Sequence, residues 1–342
     1  MKIIKLYDEY ESQYTKFISH HKKGLFYYQL EYRNILKRLL SCNDEYYILI
    51  DEGEIKAILP LLWKDGIYGP VYNSLPYFGS NGSILSENTN YYNVLISKYN
   101  EVIKTSAIST YIENPLDIHE VKPDYDYVSQ RFCQISHFKV DDDMDDLSKL
   151  FTSNKRNDVR KAIKSNIVVE IDNSNEAKDF LLTTHLENMK TIGGIPKSEL
   201  LFNSLYETYV ENQDYNIFIA KKDGKNISGL LVLYFNEITE YYTPVTVKEY
   251  REFQPLALVI YEAIRFSVRK GCTSWNWGGN GLSLDGVYKF KKRWGAEDYC
   301  YNYYIKLNNK KFLDLDIDAI LNEYSGFFTI PFHLLNREAS NG

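Results

Sequence analysis

Two strand–turn–strand units sit half a chain length apart, tipped at Asp51-Glu52-Gly53-Glu54 and at Lys222-Asp223-Gly224-Lys225, and each leads on to a helix and a further strand. An acidic, glycine-bearing turn between two apolar runs closes a hairpin, because glycine takes the positive φ that the tip needs. In the first half the runs are 46–50 and 55–63, followed by strands at 67–72 and 107–112 with a helix at 91–104 between them. Helices at 10–20 and 30–40 precede them, from apolar residues at helical spacing. In the second half the strands are 216–220, 227–235 and 238–245, and a helix over 255–270 leads into a strand at 273–277. Pro255 suits a first helical turn, where its missing N–H is no loss, and Gly271 suits the exit. The same order twice, in a chain of 342 residues that is long for one domain, predicts an α/β (α+β) protein of two tandem domains. Each is a mixed, mostly antiparallel sheet flanked by helices.

The acidic run 141–146 marks the expected boundary and is read as capping a helix over 147–151. The predicted domains are therefore 1–142 and 143–310, with a helical tail at 311–342 whose helix (313–324) and aromatic stretch (327–332) are expected to pack on the second domain. With no low-complexity linker between the halves, a ligand cleft is expected at their junction. A net charge of −6 excludes a large nonspecific nucleic-acid surface and leaves room only for a local basic patch. Cys42, Cys133, Cys272 and Cys300 are far apart and form no CxxC pair; packed, reduced thiols are expected rather than a zinc site or a disulfide framework. Charges at Lys2, Lys5 and Asp8 interrupt any apolar leader, and no window is long enough to span a bilayer. A cytoplasmic chain is expected.

Three stretches carry residues suited to chemistry. The segment 153–164 reads as a helix with Ser153 as N-cap, and Arg156, Arg160 and Lys164 form one stripe along it. The stripe suits a phosphate on a nucleotide-linked sugar, CoA or tRNA, and reads equally well as a solvated face. The second is Trp275-Asn276-Trp277-Gly278-Gly279-Asn280-Gly281, a strand end that opens into a glycine-rich loop and then a basic helix over 287–294. Asp285 opens that helix, first as an N-cap and second as a proton acceptor. The third is Ile192-Gly193-Gly194-Ile195-Pro196-Lys197, either a closing loop or a plain connection. His185 reads as a core-edge histidine on an amphipathic helix. Trp277 and Tyr242 line an acyl cleft or belong to the core.

Phe290-Lys291-Lys292-Arg293-Trp294-Gly295 resembles the Phe-Lys-x-x-aromatic-Gly signature of the Fem-like transferases, a branch of the GNAT superfamily, and its spacing after the Trp-Asn-Trp-Gly-Gly strand end fits. Three other stretches match in order: 74–82, 155–163 and 250–271, so the resemblance spans about 28–304. It implies two GNAT-like domains, the second bearing the active site, and transfer of an acyl or aminoacyl group to an amine of a cell-envelope or surface-polysaccharide precursor. The implied donor is aminoacyl-tRNA or acyl-CoA, and the implied acceptor is nucleotide-linked or lipid-linked. No tightly bound cofactor, metal or DNA is expected, and the chain is expected to be a monomer or homodimer. The signature lysine falls on Lys291, which takes the electrostatic role. Asp285 is the second catalytic candidate, and Arg156, Arg160, Trp277, Gly278, Gly279, Tyr242 and Tyr288 are the candidate substrate or donor contacts. Two features depart from the family: there is no inserted coiled-coil arm, and 251–257 lacks the glycines of an acyl-CoA pyrophosphate loop. An acyl-CoA-dependent N-acetyltransferase and an inactive binding protein of the same fold remain the rival readings.

Overall fold

The two predicted tips do close hairpins, with Gly53 at φ +83° and Gly224 at φ +77°. The computed structural model of the chain describes residues 1–77, 82–139, 144–280 and 285–335. Residues 79–81 of the glycine-bearing loop expected at 79–82, the first half of the acidic run (141–143) and residues 281–284 lie outside them. Two compact units result: Met1–Arg131 with Cys300–Gly342, and Phe132–Tyr299. The divisions fall inside two eleven-residue strands, Tyr127–His137 and Glu297–Leu307. They differ from the expected 142/143 and 310/311 because the chain changes unit in mid-strand, where composition carries no linker signal.

In the first unit, β1 (Lys2–Lys5), α1 (Glu11–His20) and α2 (Leu30–Leu40) precede β2 (Asn43–Asp44), β3 (Tyr47–Asp51), β4 (Glu54–Leu59), β5 (Leu62–Lys64), β6 (Val71–Asn73) and β7 (Leu85–Ser86). Then come α3 (Thr89–Val102) and β8 (Ile108–Ile112). One sheet runs β1-β3-β4-β7, and β2, β5, β6 and β8 are neighbours in a second. The expected single strand over 55–63 is split at Pro60. Proline lacks the ladder N–H, and β4 and β5 end up in different sheets. Likewise the strand expected at 67–72 shrinks to β6, because Gly69 at φ +100° and Pro70 precede it. Asn88 caps α3 by accepting the Tyr91 N–H at 3.1 Å, and α3 buries Tyr92, Leu95, Ile96 and Tyr99 in this unit's core.

The second unit starts within β9 (Tyr127–His137) and continues through α4 (Met144–Leu150), α5 (Ser153–Lys164), β10 (Val168–Ile171), α6 (Asn175–Ile192) and α7 (Glu199–Thr208). It then runs β11 (Tyr215–Lys222), β12 (Lys225–Phe235), β13 (Ile238–Thr246), α8 (Pro255–Arg269), β14 (Ser274–Asn280), α9 (Asp285–Lys292) and the start of β15 (Glu297–Leu307). The sheet order is β10-β11-β12-β13-β14-β9. β13 and β14 are parallel, and parallel neighbours need a crossover, which α8 supplies. The apolar face of α8, including Leu258, Val259, Ile260, Ala263 and Ile264, fills the core with Trp275, Trp277 and Trp294. Thr152, not Ser153, precedes the first turn of α5.

After β15, whose residues 303–307 pair with β8, the tail returns to the first unit rather than the second. Its helix α10 (Ile317–Glu323) is followed by Tyr324, which donates to the Gly69 carbonyl at 2.7 Å, while Asn73 Nδ2 donates to the Phe328 carbonyl at 2.8 Å. Ile67, Tyr68 and Gly69 offer the backbone there, which no pattern in the tail itself announces. Three cysteines are buried, and Cys300 is exposed. Among the described residues no helix is long and apolar enough to cross a membrane.

Candidate active site

β13 and β14 pair only from Ile238 with Ser274 to Glu240 with Asn276. Beyond that point β13 stays on β12 as far as Thr246, while β14 pairs with β9 across an irregularity between Asn276 and Gly279. The strands therefore part, and past Glu240 and Asn276 neither pairs with the other. At the parting, Asn276 Nδ2 donates to Glu240 Oε1 at 3.1 Å. Asn276 Oδ1 accepts from the Gly278 N–H at 2.8 Å and from Cys133 Sγ at 3.2 Å. Glu240, Asn276 and Cys133 are all buried. Gly278 sits at φ +73°, which turns its carbonyl toward α9, and Lys291 Nζ donates to it at 3.2 Å.

Lys291 is only 5% exposed. Burial lowers its pKa to about 8, with Cys133 pulling weakly the other way. The Cys133 thiol is pushed up to about 12, by burial first and by Glu240 second, so it stays protonated. Its own pKa leaves Lys291 mostly charged near pH 7 and able to donate a strong hydrogen bond from a poorly solvated position.

The segment Phe290–Gly295 is partly a folding device. Phe290 lies edge-on to Trp277 at 6.3 Å, Lys292 pairs with Asp298 at 2.9 Å, and the Arg293 carbonyl accepts the Thr152 N–H at 3.0 Å. Trp294 is fully buried and stacks on Trp277 at 6.2 Å. Gly295 has φ +75°, and an added Cβ would sit 2.8 Å from the Leu150 carbonyl oxygen, so only glycine fits. The segment thereby fastens α9 to β14 and to the turn between α4 and α5, and leaves Lys291 as the residue that points at the parting.

The other predicted residues divide. Gly278 and Gly279 stand on β14 at the parting. Trp277 lies in the core, its indole N–H donating to Ser136 Oγ at 2.9 Å. Tyr242 is buried on β13 just past Glu240. Tyr288 donates to Asp298 Oδ2 at 2.8 Å, beside Lys292 and away from Lys291. The arginine stripe does not converge: Arg156 donates to the Ser148 and Phe151 carbonyls at the end of α4, whereas Arg160 is exposed and bonded to Asn157. His185 is buried at the edge of the core, edge-on to Phe202. The side chain of Asp285 lies outside the described residues.

Next to the parting, a cleft of about 420 Å³ is lined by Lys155, Asn188, Thr246, Arg251, Gln254 and Phe290, among others. The first turn of α8 opens onto it at Pro255 to Ala257. Lys155 is buried, pairs with Asp158 at 2.7 Å and lies 4.8 Å over the Phe290 ring. Two cations and the positive end of a fifteen-residue helix make the cleft suited to a phosphate-bearing group. Sequence reasoning gave no role to Lys155, Glu240 or Asn276. Two of these left a signal: an acid within the apolar run of β13, and an asparagine alternating with two tryptophans, which a strand places on the opposite face from them. Among the described residues no His, Cys, Asp and Glu group is placed to hold a metal.

Residues 203–300 match the model of the FemAB family. The solved structure of FemX is similar over 91% of this chain and 98% of its own, at 15% identity and a TM-score of 0.69. A conserved protein of unknown function from Bacteroides thetaiotaomicron VPI-5482 is similar over 90% and 100%, at 12% identity and a TM-score of 0.58. A tandem GNAT protein from the clavulanic acid biosynthesis pathway follows over 89% and 97%, at 10% identity and a TM-score of 0.51. No curated protein matches the sequence. The fold is thus the tandem GNAT-like, mixed α/β arrangement that the sequence resemblance implied.

Proposed function

We propose that this chain, of the Fem-like branch of the GNAT superfamily, is an acyl- or aminoacyltransferase that forms an amide on an amino group of a cell-envelope or surface-polysaccharide precursor. The observation that carries this reading is Lys291: a nearly buried lysine held to the Gly278 carbonyl where β13 and β14 part. Amide formation puts negative charge on the carbonyl oxygen of the donor, and a desolvated cation aimed at that oxygen stabilises it far more than it would in water. The 420 Å³ cleft with Lys155, Arg251 and the first turn of α8 would take the phosphates of the donor or of a nucleotide-linked acceptor. Lys155 replaces Arg156 and Arg160 in that role.

Of the two donors, aminoacyl-tRNA is favoured over acyl-CoA. A pantetheine arm is a linear chain with two amides, and it binds well along an open strand edge. Here the edge of β13 is capped from within: Asn188 bonds both the N–H and the carbonyl of Thr246, and Lys197 bonds the Tyr242 carbonyl. The segment 251–257 also lacks a glycine-rich pyrophosphate loop.

The test is transfer of label from aminoacyl-tRNA or, separately, from acetyl-CoA to a UDP-linked muropeptide or UDP-linked amino sugar. Amide-linked label from aminoacyl-tRNA is expected. Label from acetyl-CoA alone would identify an N-acetyltransferase instead, and binding of the nucleotide-linked acceptor without transfer from either donor would identify a binding protein.

A further inference from the structure

The outer edge of β13 meets a second enclosed lysine. Lys197, in the connection between α6 and α7, donates through Nζ to the Tyr242 carbonyl at 2.6 Å and to Thr243 Oγ1 at 3.2 Å, and lies 4.1 Å over the Tyr242 ring. The connection is pinned, since the Lys197 N–H donates to His185 Nε2 at 2.9 Å. That bond fixes the histidine with Nε2 unprotonated. Tyr242 is two residues past Glu240, the last β13 residue paired with β14. Lys197 therefore stands on one lip of the parting and Lys291, at Gly278, on the other.

We propose that Lys197 is the general base of the reaction, the residue that takes a proton from the incoming acceptor ammonium before it attacks; this rests on the transferase reading above. Among the described residues no carboxylate pairs with Lys197, and its hydrogen-bond partners are a carbonyl and a hydroxyl, both neutral. The titratable groups that face it are His185 from α6 and Tyr242 from β13. Burial lowers Lys197 to about 7, and burial followed by Lys197 itself lowers His185 to about 4. A neutral amine is thus well populated near pH 7, beside a histidine that stays uncharged. Lys197 as a whole is half-buried, whereas its amine is enclosed by the Tyr242 carbonyl, the Thr243 hydroxyl and the Tyr242 ring.

The proton count closes without a co-reactant. The acceptor R–NH3⁺ gives one proton to neutral Lys197, and the free amine nitrogen forms a bond to the donor carbonyl carbon. The carbonyl oxygen carries the charge toward Lys291, then the C–O bond to the tRNA ribose breaks. The leaving oxygen takes the second proton of the former ammonium, and Lys197 releases its own to solvent. The Tyr242 carbonyl and ring hold the protonated amine in the interval.

Two measurements test this. In protein carrying ¹³Cε,¹⁵Nζ-lysine, one amine titrating near pH 7 and absent from Lys197→Gln is expected. A Lys197 amine that stays protonated above pH 9 overturns the assignment whatever the activity. With the donor and acceptor that give transfer, Lys197→Gln and Lys197→Arg should both fold and run roughly 10²-fold slower at pH 7. Their rates should keep rising with pH, where the wild type levels off. Either variant keeping the wild-type rate and acidic limb overturns the proposal. A wild type that shows the titration near pH 7 but transfers from no donor would sink the transferase reading instead, and the base role with it.

Discussion

Charges taken out of water in the first unit meet opposite charges, whereas in the second unit two lysines are held against main-chain carbonyls. Arg33 reaches Glu11 at 2.8 Å and Asp44 at 3.6 Å; Asp117 meets Lys23 at 2.7 Å and His119 at 3.1 Å; Glu113 meets Lys122 at 2.8 Å. Burial alone would raise Asp117, but His119 and Lys23 together hold it below the usual carboxylate range. In the second unit Lys291 donates to the Gly278 carbonyl and Lys197 to the Tyr242 carbonyl, and burial lowers both. A pair of opposite charges fixes geometry and holds each ionised state. Burial disfavours the charged form of a lysine, and so loosens its proton even where the ammonium donates to a carbonyl. Lys155 with Asp158 shows that the second unit also keeps pairs of opposite charge.

The contrast can be broken by experiment. Trp294→Ala should have the largest effect, lowering the unfolding free energy by about 3–5 kcal/mol in urea titrations, because it empties the stack beneath Trp277. Lys291→Met should lower kcat/KM by about 10²–10³-fold, or roughly 3–4 kcal/mol, with an unfolding free energy at pH 7 no lower than that of the wild type. Its ammonium is harder to keep charged in the fold than in the open chain. Stability should therefore rise as pH passes from about 8 toward 10.5, and the Lys291 share of that rise, up to about 3 kcal/mol, should be missing in the variant while the Lys197 share remains. Arg33→Ala should do the reverse, lowering stability by about 2 kcal/mol and leaving kcat/KM unchanged. The smallest effect concerns Asp117. Its pKa is lowered in the fold, so its contribution is present above the unfolded value near 3.8 and is lost as pH falls through the folded one. Asp117→Asn should flatten that acid limb, worth about 1 kcal/mol, in acid-unfolding curves.

Much of the scaffold is legible in the order of residues alone. Helix α2 begins and ends at the predicted residues, α8 starts at Pro255, and both hairpins carry their tips at Gly53 and Gly224. The long strands β9 and β15 are not legible in this way: polar, charged and aromatic residues mix along them, and the two ends of each serve different units. On α5 the arginines at four-residue spacing draw attention away from the buried face, which is Lys155, Val159 and Ala162. One residue is about 100° of helix rotation, so a periodic stripe does not reveal which side the core will take.

Local chemistry settled what a short stretch can settle: Pro60 ends a strand, Pro255 starts a helix, Gly295 takes a φ that other residues rarely adopt, and the Phe290–Gly295 signature places a lysine. The tertiary structure decided which lysines are buried. Desolvation is a sum over every neighbour that displaces water, and Lys197 and Lys291 acquire theirs from strands and helices tens of residues away along the chain. Lys289 and Lys292, of the same residue type and on the same helix as Lys291, remain exposed.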